Sequence, residues 1–350
     1  LALAPCNAGV VVTDIRTGEV LALVSYPGYD NNRIGDSAYF SQLQNDLSLP
    51  LYNNATQAKK APGSTFKPLT AVAALEEHVI GIDDTIECTG RYEEIDTPIK
   101  CWIYPGRHGP LNMVGGLLNS CNFFFADLGH RLSMDAEGNY VPSLGLDKLH
   151  KYAAMFGLDH KSGVEIDELE PQISDIDPER SAMGQGNHAY TNVQLSRYVA
   201  AIASRGNVFE LSLLDKITDS EGNLIKDYTP EISSHIDAAD STWDTVQQGM
   251  REVIASGTAK KLFADLEVPI AGKTGTAQEA KNKPNHAFFI SYAPYNNPEI
   301  CVTVNIPYGY SASNAANIAK SVYQYYYGEI DLESILNAGA RDAANVTIRD

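Results

Sequence analysis

Pro269-Ile-Ala-Gly-Lys-Thr-Gly-Thr-Ala-Gln278, then His286-Ala-Phe-Phe-Ile-Ser-Tyr292, then a third apolar run over 300–306 decide the fold. Each is a short apolar or β-branched run bounded by turn residues, so strands are predicted over 268–278, 286–292 and 300–306. Pro294-Tyr-Asn-Asn-Pro298 has the composition of the turn between the last two. An amphipathic helix over 312–326 follows.

Strand patterns also open the chain. Gly9-Val-Val-Val-Thr-Asp14 and Val20-Leu-Ala-Leu-Val-Ser25 flank Arg16-Thr-Gly-Glu19, a hairpin turning at Gly18. Residues 26–60 are polar and Asn-rich, mostly loop, with a short helix near 37–43. A helix is predicted over 62–77, with Pro68 tolerated in its first turn. Apolar residues at helical spacing mark 111–128, 146–156, 192–205 and 242–255. Strands at both ends with helices between them predict an α+β fold: about five mostly antiparallel strands, flanked by helices, plus an all-α subdomain. The chain is expected to be one domain over 1–350. Residues 1–30 and 265–330 form the sheet, and 62–260 form a mainly helical part.

At 350 residues with 44% hydrophobic and 20% charged side chains, the composition is globular. A net charge of -18 argues against nucleic acid, which needs clustered Lys and Arg. No apolar run reaches membrane-spanning length, and Leu1-Ala-Leu-Ala-Pro5 lacks the features of a signal peptide. The chain is therefore read as an excised piece of a longer protein. Its five cysteines are an odd number for a disulfide framework.

Ser64-Thr-Phe-Lys67 opens the first strong helix. At i and i+3 the hydroxyl and the amine share a face. Serine needs an adjacent base, and a lysine serves only when neutral. Moving its pKa from about 10.4 to near 7 takes on the order of 4–5 kcal/mol, which burial and a second cation can supply. Alone, this motif arises by chance about once in a chain of this length. Lys273-Thr-Gly-Thr276 is rarer, arising in roughly one such chain in ten. Its cation and two hydroxyls suit a carboxylate, and Gly275 opens the strand to close approach. Ser120-Cys-Asn122 interrupts an apolar helical stretch, where both side chains can face a groove if the helix breaks.

S-x-x-K, S-x-N and K-T-G in this order resemble the motif set of penicillin-binding proteins and serine β-lactamases. Thr17-Gly-Glu-Val-Leu-Ala-Leu-Val-Ser-Tyr-Pro27, Pro62-Gly-Ser-Thr-Phe-Lys67, Met183-Gly-Gln-Gly186 and His286-Ala-Phe-Phe-Ile-Ser-Tyr-Ala-Pro294 extend the resemblance to class B penicillin-binding proteins. The resemblance implies a serine D,D-transpeptidase that cross-links peptidoglycan stem peptides and forms stable adducts with β-lactams. Ser64 would attack the penultimate D-Ala, Lys67 take its proton, Ser120 relay a proton to the leaving group and Asn122 orient Lys67. Lys273, Thr274, Gly275 and Thr276 would hold the terminal carboxylate, with the backbone N–H groups of Ser64 and Thr276 as the oxyanion hole. No cofactor is implied for catalysis. The resemblance also implies an N-terminal membrane helix and a pedestal domain outside this sequence, at the extracytoplasmic face of the bacterial membrane. It further implies a partner polymerase of the SEDS family.

Cys88, Cys101, His108 and Cys121 have the residue types of a structural zinc set, in a spacing that matches no standard finger. From the residues alone, unrelated cysteines or one disulfide explain them equally well. Elongation-type class B enzymes resemble this region through an Asp/His/Cys zinc site, which implies a structural zinc here with softer ligands. His130, His150 and His188 read as surface or packing histidines, and Cys301 as core. Tyr323 and Tyr325-Tyr-Tyr327 read as helix packing. A D,D-carboxypeptidase or β-lactamase on the same scaffold and a non-cross-linking β-lactam sensor are the alternatives, separated by acyl-enzyme lifetime.

Overall fold

In the computed structural model, which describes residues 7–277 and 283–337, the N-terminal hairpin consists of β1 (Ala8–Asp14) and β2 (Val20–Tyr26). Gly18 turns it at φ +83°, a left-handed conformation that glycine adopts without penalty, and a Cβ there would sit 2.7 Å from Phe209 Cβ. β3 (Ala271–Ala277), β4 (His286–Ala293) and β5 (Ile300–Ile306) complete a five-stranded sheet in the order β3-β4-β5-β1-β2. Every pair is antiparallel, with Val12 opposite Val302 and Thr274 opposite Phe289. The two ends of the chain thus close one sheet, as the sequence pattern predicts. Cys6, Gln278 and residues beyond 337 lie outside the described residues.

β4 and β5 are buried at every position because both faces of the sheet are covered, which explains their unbroken apolar sequence. Phe289, Ile300, Val302, Val304 and Ile306 pack on Ala315, Ala316, Ala319 and Tyr323 of the C-terminal helix Ala312–Tyr326. Phe288, Ile290, Tyr292 and Cys301 join the larger core shared with the inserted helices. Each large side chain buried this way contributes roughly 1.5–3 kcal/mol.

α1 (Lys67–Glu76), α2 (Met113–Leu118), α3 (Asn122–Leu132), α4 (Asn192–Ala203) and α5 (Asp240–Ala255) carry the inserted part. α4 is buried at all 12 residues and starts at a capping box of Thr191 and Gln194. It is tied to the sheet by polar bonds: Asn192 Nδ2 donates to Gly9 O at 3.1 Å and Thr303 O at 3.0 Å, and Thr13 Oγ1 lies 2.9 Å from Ser196 Oγ.

The predicted helix over 111–128 is two helices, α2 and α3, broken at Ser120. The predicted 62–77 helix begins as a 3-10 turn, Gly63–Phe66. Residues 206–236 hold two small ladders that the sequence reading left unassigned, Asn207–Phe209 with Ile232–His235 and Lys216–Thr218 with Leu224–Asp227. Three of these four strands are exposed along their length and so carry no buried-face pattern. Tyr323 is buried and donates to Ser291 Oγ at 2.9 Å, and Tyr327 is partly buried against the same core, whereas Tyr325 and Tyr326 are exposed, so packing accounts for the first and the last of the four. No helix among the described residues is long and apolar enough to cross a membrane.

Candidate active site

Ser64 lies on the 3-10 turn and Lys67 is the first residue of α1. Three glycines let this turn approach its neighbours. A Cβ on Gly63 would fall 2.7 Å from Thr276 O, one on Gly275 would fall 2.6 Å from Thr65 Cγ2, and one on Gly184 would overlap Gly63 O. Gly63 N donates to Gly184 O at 2.9 Å. The serine turn is therefore pressed against β3, the edge strand that carries Lys273, Thr274 and Thr276.

The break between α2 and α3 supplies the third side. Ser120 sits at φ +49°, a left-handed conformation uncommon for a residue with a Cβ. Its N–H donates to Leu117 O at 3.1 Å and that of Cys121 to Gly116 O at 3.0 Å, closing the end of α2. Cys121 then caps α3, its Sγ accepting from Phe124 N at 3.4 Å. This geometry turns the Ser120 hydroxyl and the Asn122 amide toward the same lysine.

Lys67 Nζ donates to Ser120 O at 2.8 Å, to Asn122 Oδ1 at 2.8 Å and to Ser120 Oγ at 3.3 Å. Lys273 Nζ reaches the same Ser120 Oγ at 2.8 Å and donates to Thr274 O at 3.0 Å. Both lysines are fully buried. The two amines thus meet at one hydroxyl. They therefore lie at most about 6 Å apart, where two full charges would repel by roughly 3 kcal/mol or more at an effective dielectric near 20. Among the described residues the Ser64 hydroxyl makes no hydrogen bond. The i,i+3 spacing brings Lys67 into the cluster, but its amine bonds to Ser120 and Asn122. Thr276 Oγ1 is buried without a hydrogen-bond partner among the described residues, and Thr274 Oγ1 lies 3.4 Å from Thr258 Oγ1.

Cys88, Cys101, His108 and Cys121 converge immediately behind this break. Their ligand atoms all lie within 4.8 Å of one another. Cys88 Sγ and Cys101 Sγ are each 3.6 Å from His108 Nδ1, and Cys101 Sγ is 3.7 Å from Cys121 Sγ. A disulfide needs about 2.05 Å, so these are free thiols. Tetrahedral zinc with bonds of about 2.3 Å to sulfur and 2.0–2.1 Å to nitrogen requires edges of roughly 3.5–3.8 Å, which the 3.6, 3.6 and 3.7 Å separations match. Hydrogen bonding to Cys121 pulls the Cys88 and Cys101 thiols down, while the same contacts push Cys121 up. Burial acts to lower His108, but its bonds to Cys101 and Cys88 outweigh this and raise it. The cluster is joined to the helix break at Ser120 through Cys121 itself and through Trp102, whose Nε1 donates to Asn119 O at 2.9 Å.

A family model described as the penicillin binding protein transpeptidase domain matches residues 8–324. The chain belongs to this family. Within it, the chain is 31% identical over 370 residues to the peptidoglycan D,D-transpeptidase MrdA of Haemophilus influenzae, covering 93% of this chain and 54% of that relative. It thus spans about half the length of the curated relatives it matches. The crystal structure of Pseudomonas aeruginosa PBP2 in complex with WCK 5153 superimposes with a TM-score of 0.81 at 28% identity, covering 94% of this chain and 76% of that one. A structure of the coordination of polymerization and crosslinking by a peptidoglycan synthase complex gives a TM-score of 0.81 at 26% identity. It covers 93% of this chain and 56% of that one.

The remaining sequence candidates of this transpeptidase-family chain are structural. His188 is buried beneath Phe66, accepts from Ser174 N at 3.0 Å, and is pushed down to about 3 by burial. Burial pushes Cys301 up to about 11, within a core strand. His130 pairs with Glu179 at 3.1 Å, and His150 is exposed. The sequence reading passed over Phe125, whose ring lies 5.4 Å from Lys67 Nζ, and Tyr198, which bonds to the backbone of the serine turn. Both sit in continuous apolar helix patterns, where nothing distinguishes a contact to the site from ordinary core.

Proposed function

We propose that this chain is the transpeptidase domain, over 1–350, of a penicillin-sensitive D,D-transpeptidase that cross-links peptidoglycan stem peptides. The observation that carries the reading is the Ser120 hydroxyl held at once by Lys67 and Lys273, beside a serine turn pressed on the K-T-G strand. Ser64 attacks the carbonyl of the penultimate D-Ala, and its proton passes to Lys67, whose amine is disfavoured as a second charge beside Lys273. The leaving D-Ala takes its proton through Ser120, the group that bridges the two amines. Asn122 fixes Lys67 through its Oδ1. Lys273, Thr274 and Thr276 receive the terminal carboxylate, and Gly275 keeps the strand close to the turn. The N–H groups of Ser64 and Thr276 form the oxyanion hole. A second stem peptide's amine then resolves the ester, and β-lactams stop at it.

Cys88, Cys101, His108 and Cys121 are proposed to hold a structural zinc, a closed four-ligand set that fits their separations. When bound, zinc would fix the three thiolates and the imidazole as one rigid unit, with Cys121 holding Ser120 and Asn122 on either side. This cluster also supports an elongation-type role. An N-terminal anchor and pedestal, an extracytoplasmic location and a SEDS-type polymerase partner belong to the same reading. The likeness to MrdA relatives and to a synthase complex supports them.

Intact-mass measurement after penicillin treatment tests the activity. The expected result is one adduct on the wild-type chain and none on Ser64→Ala. An unmodified wild-type chain, or an adduct that survives the substitution, overturns it.

A further inference from the structure

In an unbroken α-helix, the N–H of Leu69 would donate to the carbonyl of Thr65, four residues earlier. Here a side chain from another helix stands between them. Leu69 N donates to Tyr198 Oη at 3.0 Å, and Tyr198 Oη donates to Thr65 O at 3.2 Å. Tyr198 belongs to α4 and is fully buried. Its ring is set edge-on against Phe156, with centroids 5.3 Å apart. Burial pushes its ionisation well above that of an ordinary tyrosine, so the hydroxyl keeps the proton it donates.

The neighbouring link in the ladder is also missing. Residue 68 is proline and has no N–H to offer the Ser64 carbonyl, which accepts instead from Lys67 N in a 3-10 bond. The first turn is therefore uncoupled from α1 at two adjacent points, one covalent and one tertiary. On its other side, Thr65 meets β3 at Gly275, where there is no room even for a methyl group.

We propose that Tyr198 is a positioning residue for Ser64. By occupying the gap between Thr65 C=O and Leu69 N–H, its hydroxyl holds the serine turn in 3-10 form and against the K-T-G strand. Side chains or waters inserted into a helical ladder are a recognised cause of local helix distortion. Without the hydroxyl, the two backbone groups either remain unpaired in the core or bond directly, and direct bonding draws the turn toward α-helical geometry and away from β3. The inference rests on the reading of Ser64 as the nucleophile.

The test compares Tyr198→Phe with Tyr323→Phe, a second buried tyrosine whose hydroxyl bonds Ser291 on the far face of the sheet. Acylation by a fluorescent penicillin is resolved into the dissociation constant of the non-covalent complex and the rate constant of ester formation. Misplacement of a reacting group by about 1 Å costs up to about a hundredfold, so Y198F is expected to lose about ten- to a hundredfold in the rate constant. Its dissociation constant should stay at the wild-type value, because Lys273, Thr274 and Thr276 are untouched. Y323F should acylate at the wild-type rate with a comparable fall in melting temperature. A Y198F rate constant within about threefold of wild type overturns the proposal, as does a loss matched by Y323F or one carried wholly by the dissociation constant. If Y198F fails to fold, replacing Leu69 with its α-hydroxy acid removes one of the two bonds, that from Leu69 N–H to the Tyr198 hydroxyl. It must lower the rate constant by a smaller factor, because the bond to Thr65 O remains, and a wild-type rate constant overturns the proposal. A wild-type chain that takes no adduct at Ser64 refutes the nucleophile assignment instead, a result distinguishable from any of these.

Discussion

Ser120→Gly and Ser120→Ala, taken together, separate the chemistry of this site from its folding. Ser120 contributes two things: a hydroxyl that receives Lys273 at 2.8 Å and Lys67 at 3.3 Å, and a backbone held at φ +49°. Both variants delete the hydroxyl. Lys67 keeps its bonds to Ser120 O and Asn122 Oδ1, and Lys273 keeps Thr274 O, so each amine loses one acceptor. A lost hydrogen bond to a charged group is worth about 1.5–3 kcal/mol before water relaxes into the gap. Losing the proton relay should slow acylation by roughly 10²–10⁴-fold in both variants. The backbone term separates them. A left-handed residue with a Cβ costs about 1–2 kcal/mol, which glycine avoids and alanine retains. S120G should therefore be more stable than S120A by about 1 kcal/mol, on the order of 2 °C in melting temperature for a chain of this size. Stopped-flow acylation by a chromogenic cephalosporin, with calorimetry on the same samples, reads both quantities. S120G acylating within about threefold of wild type would refute the relay. S120A matching S120G in stability would refute the strained break between α2 and α3.

Gly275→Ala places a methyl group 2.6 Å from Thr65 Cγ2 and 3.0 Å from Pro62 O, so it should cost roughly 1–3 kcal/mol and slow acylation at least tenfold. Unchanged acylation would mean that the turn and β3 need not touch. The wild-type chain purified without chelator should carry about one equivalent of zinc. Chelation should release it, expose additional thiols to a disulfide reagent and lower the melting temperature; less than about half an equivalent would count against the site. His188 has a folded pKa pushed down to about 3, against an ordinary value of 6.5. Below pH 6.5 the unfolded chain therefore binds a proton that the folded chain refuses, so stability is full above 6.5 and falls as pH drops toward 3. At pH 4.5 the loss from this residue is roughly 2–3 kcal/mol, and His188→Gln should flatten that part of the slope in denaturant titrations from pH 7 to 4.5. A variant with the wild-type slope would assign it elsewhere.

Burial, more than local propensity, explains which features were legible in the sequence. β4 and β5 read as strands because the sheet is covered on both faces, leaving unbroken apolar runs with clear turn residues between them. Of the three motifs, only Ser120-Cys-Asn122 stands out as polar residues inside a core pattern; together they were legible through their order, which resembles that of penicillin-binding proteins. The small ladders after residue 206 were not, since exposed strands carry no such contrast. Cys88, Cys101, His108 and Cys121 could be named as candidate ligands, but not distinguished from unrelated residues. Spacings of 12, 6 and 12 intervening residues say nothing of separations until Ile86–Cys88 pairs with Gly109–Leu111 and brings them within 4.8 Å.

By itself, the sequence pointed to the five strands of the main sheet, most of the long helices and the closure of one sheet by both chain ends, and it offered Ser64, Lys67, Ser120, Asn122 and Lys273 as candidates. The elements follow from short-range patterns, apolar periodicity and turn chemistry, whereas the candidate residues follow from the order of three motifs and its resemblance to penicillin-binding proteins. Only tertiary structure decided that two lysines 206 positions apart share the hydroxyl of Ser120. The same holds for the helix break at a left-handed serine and for the tyrosine from α4 that replaces a link at the start of α1. Each depends on contacts between segments distant along the chain. A hydrogen bond depends on distance and direction in space, which local sequence patterns do not encode.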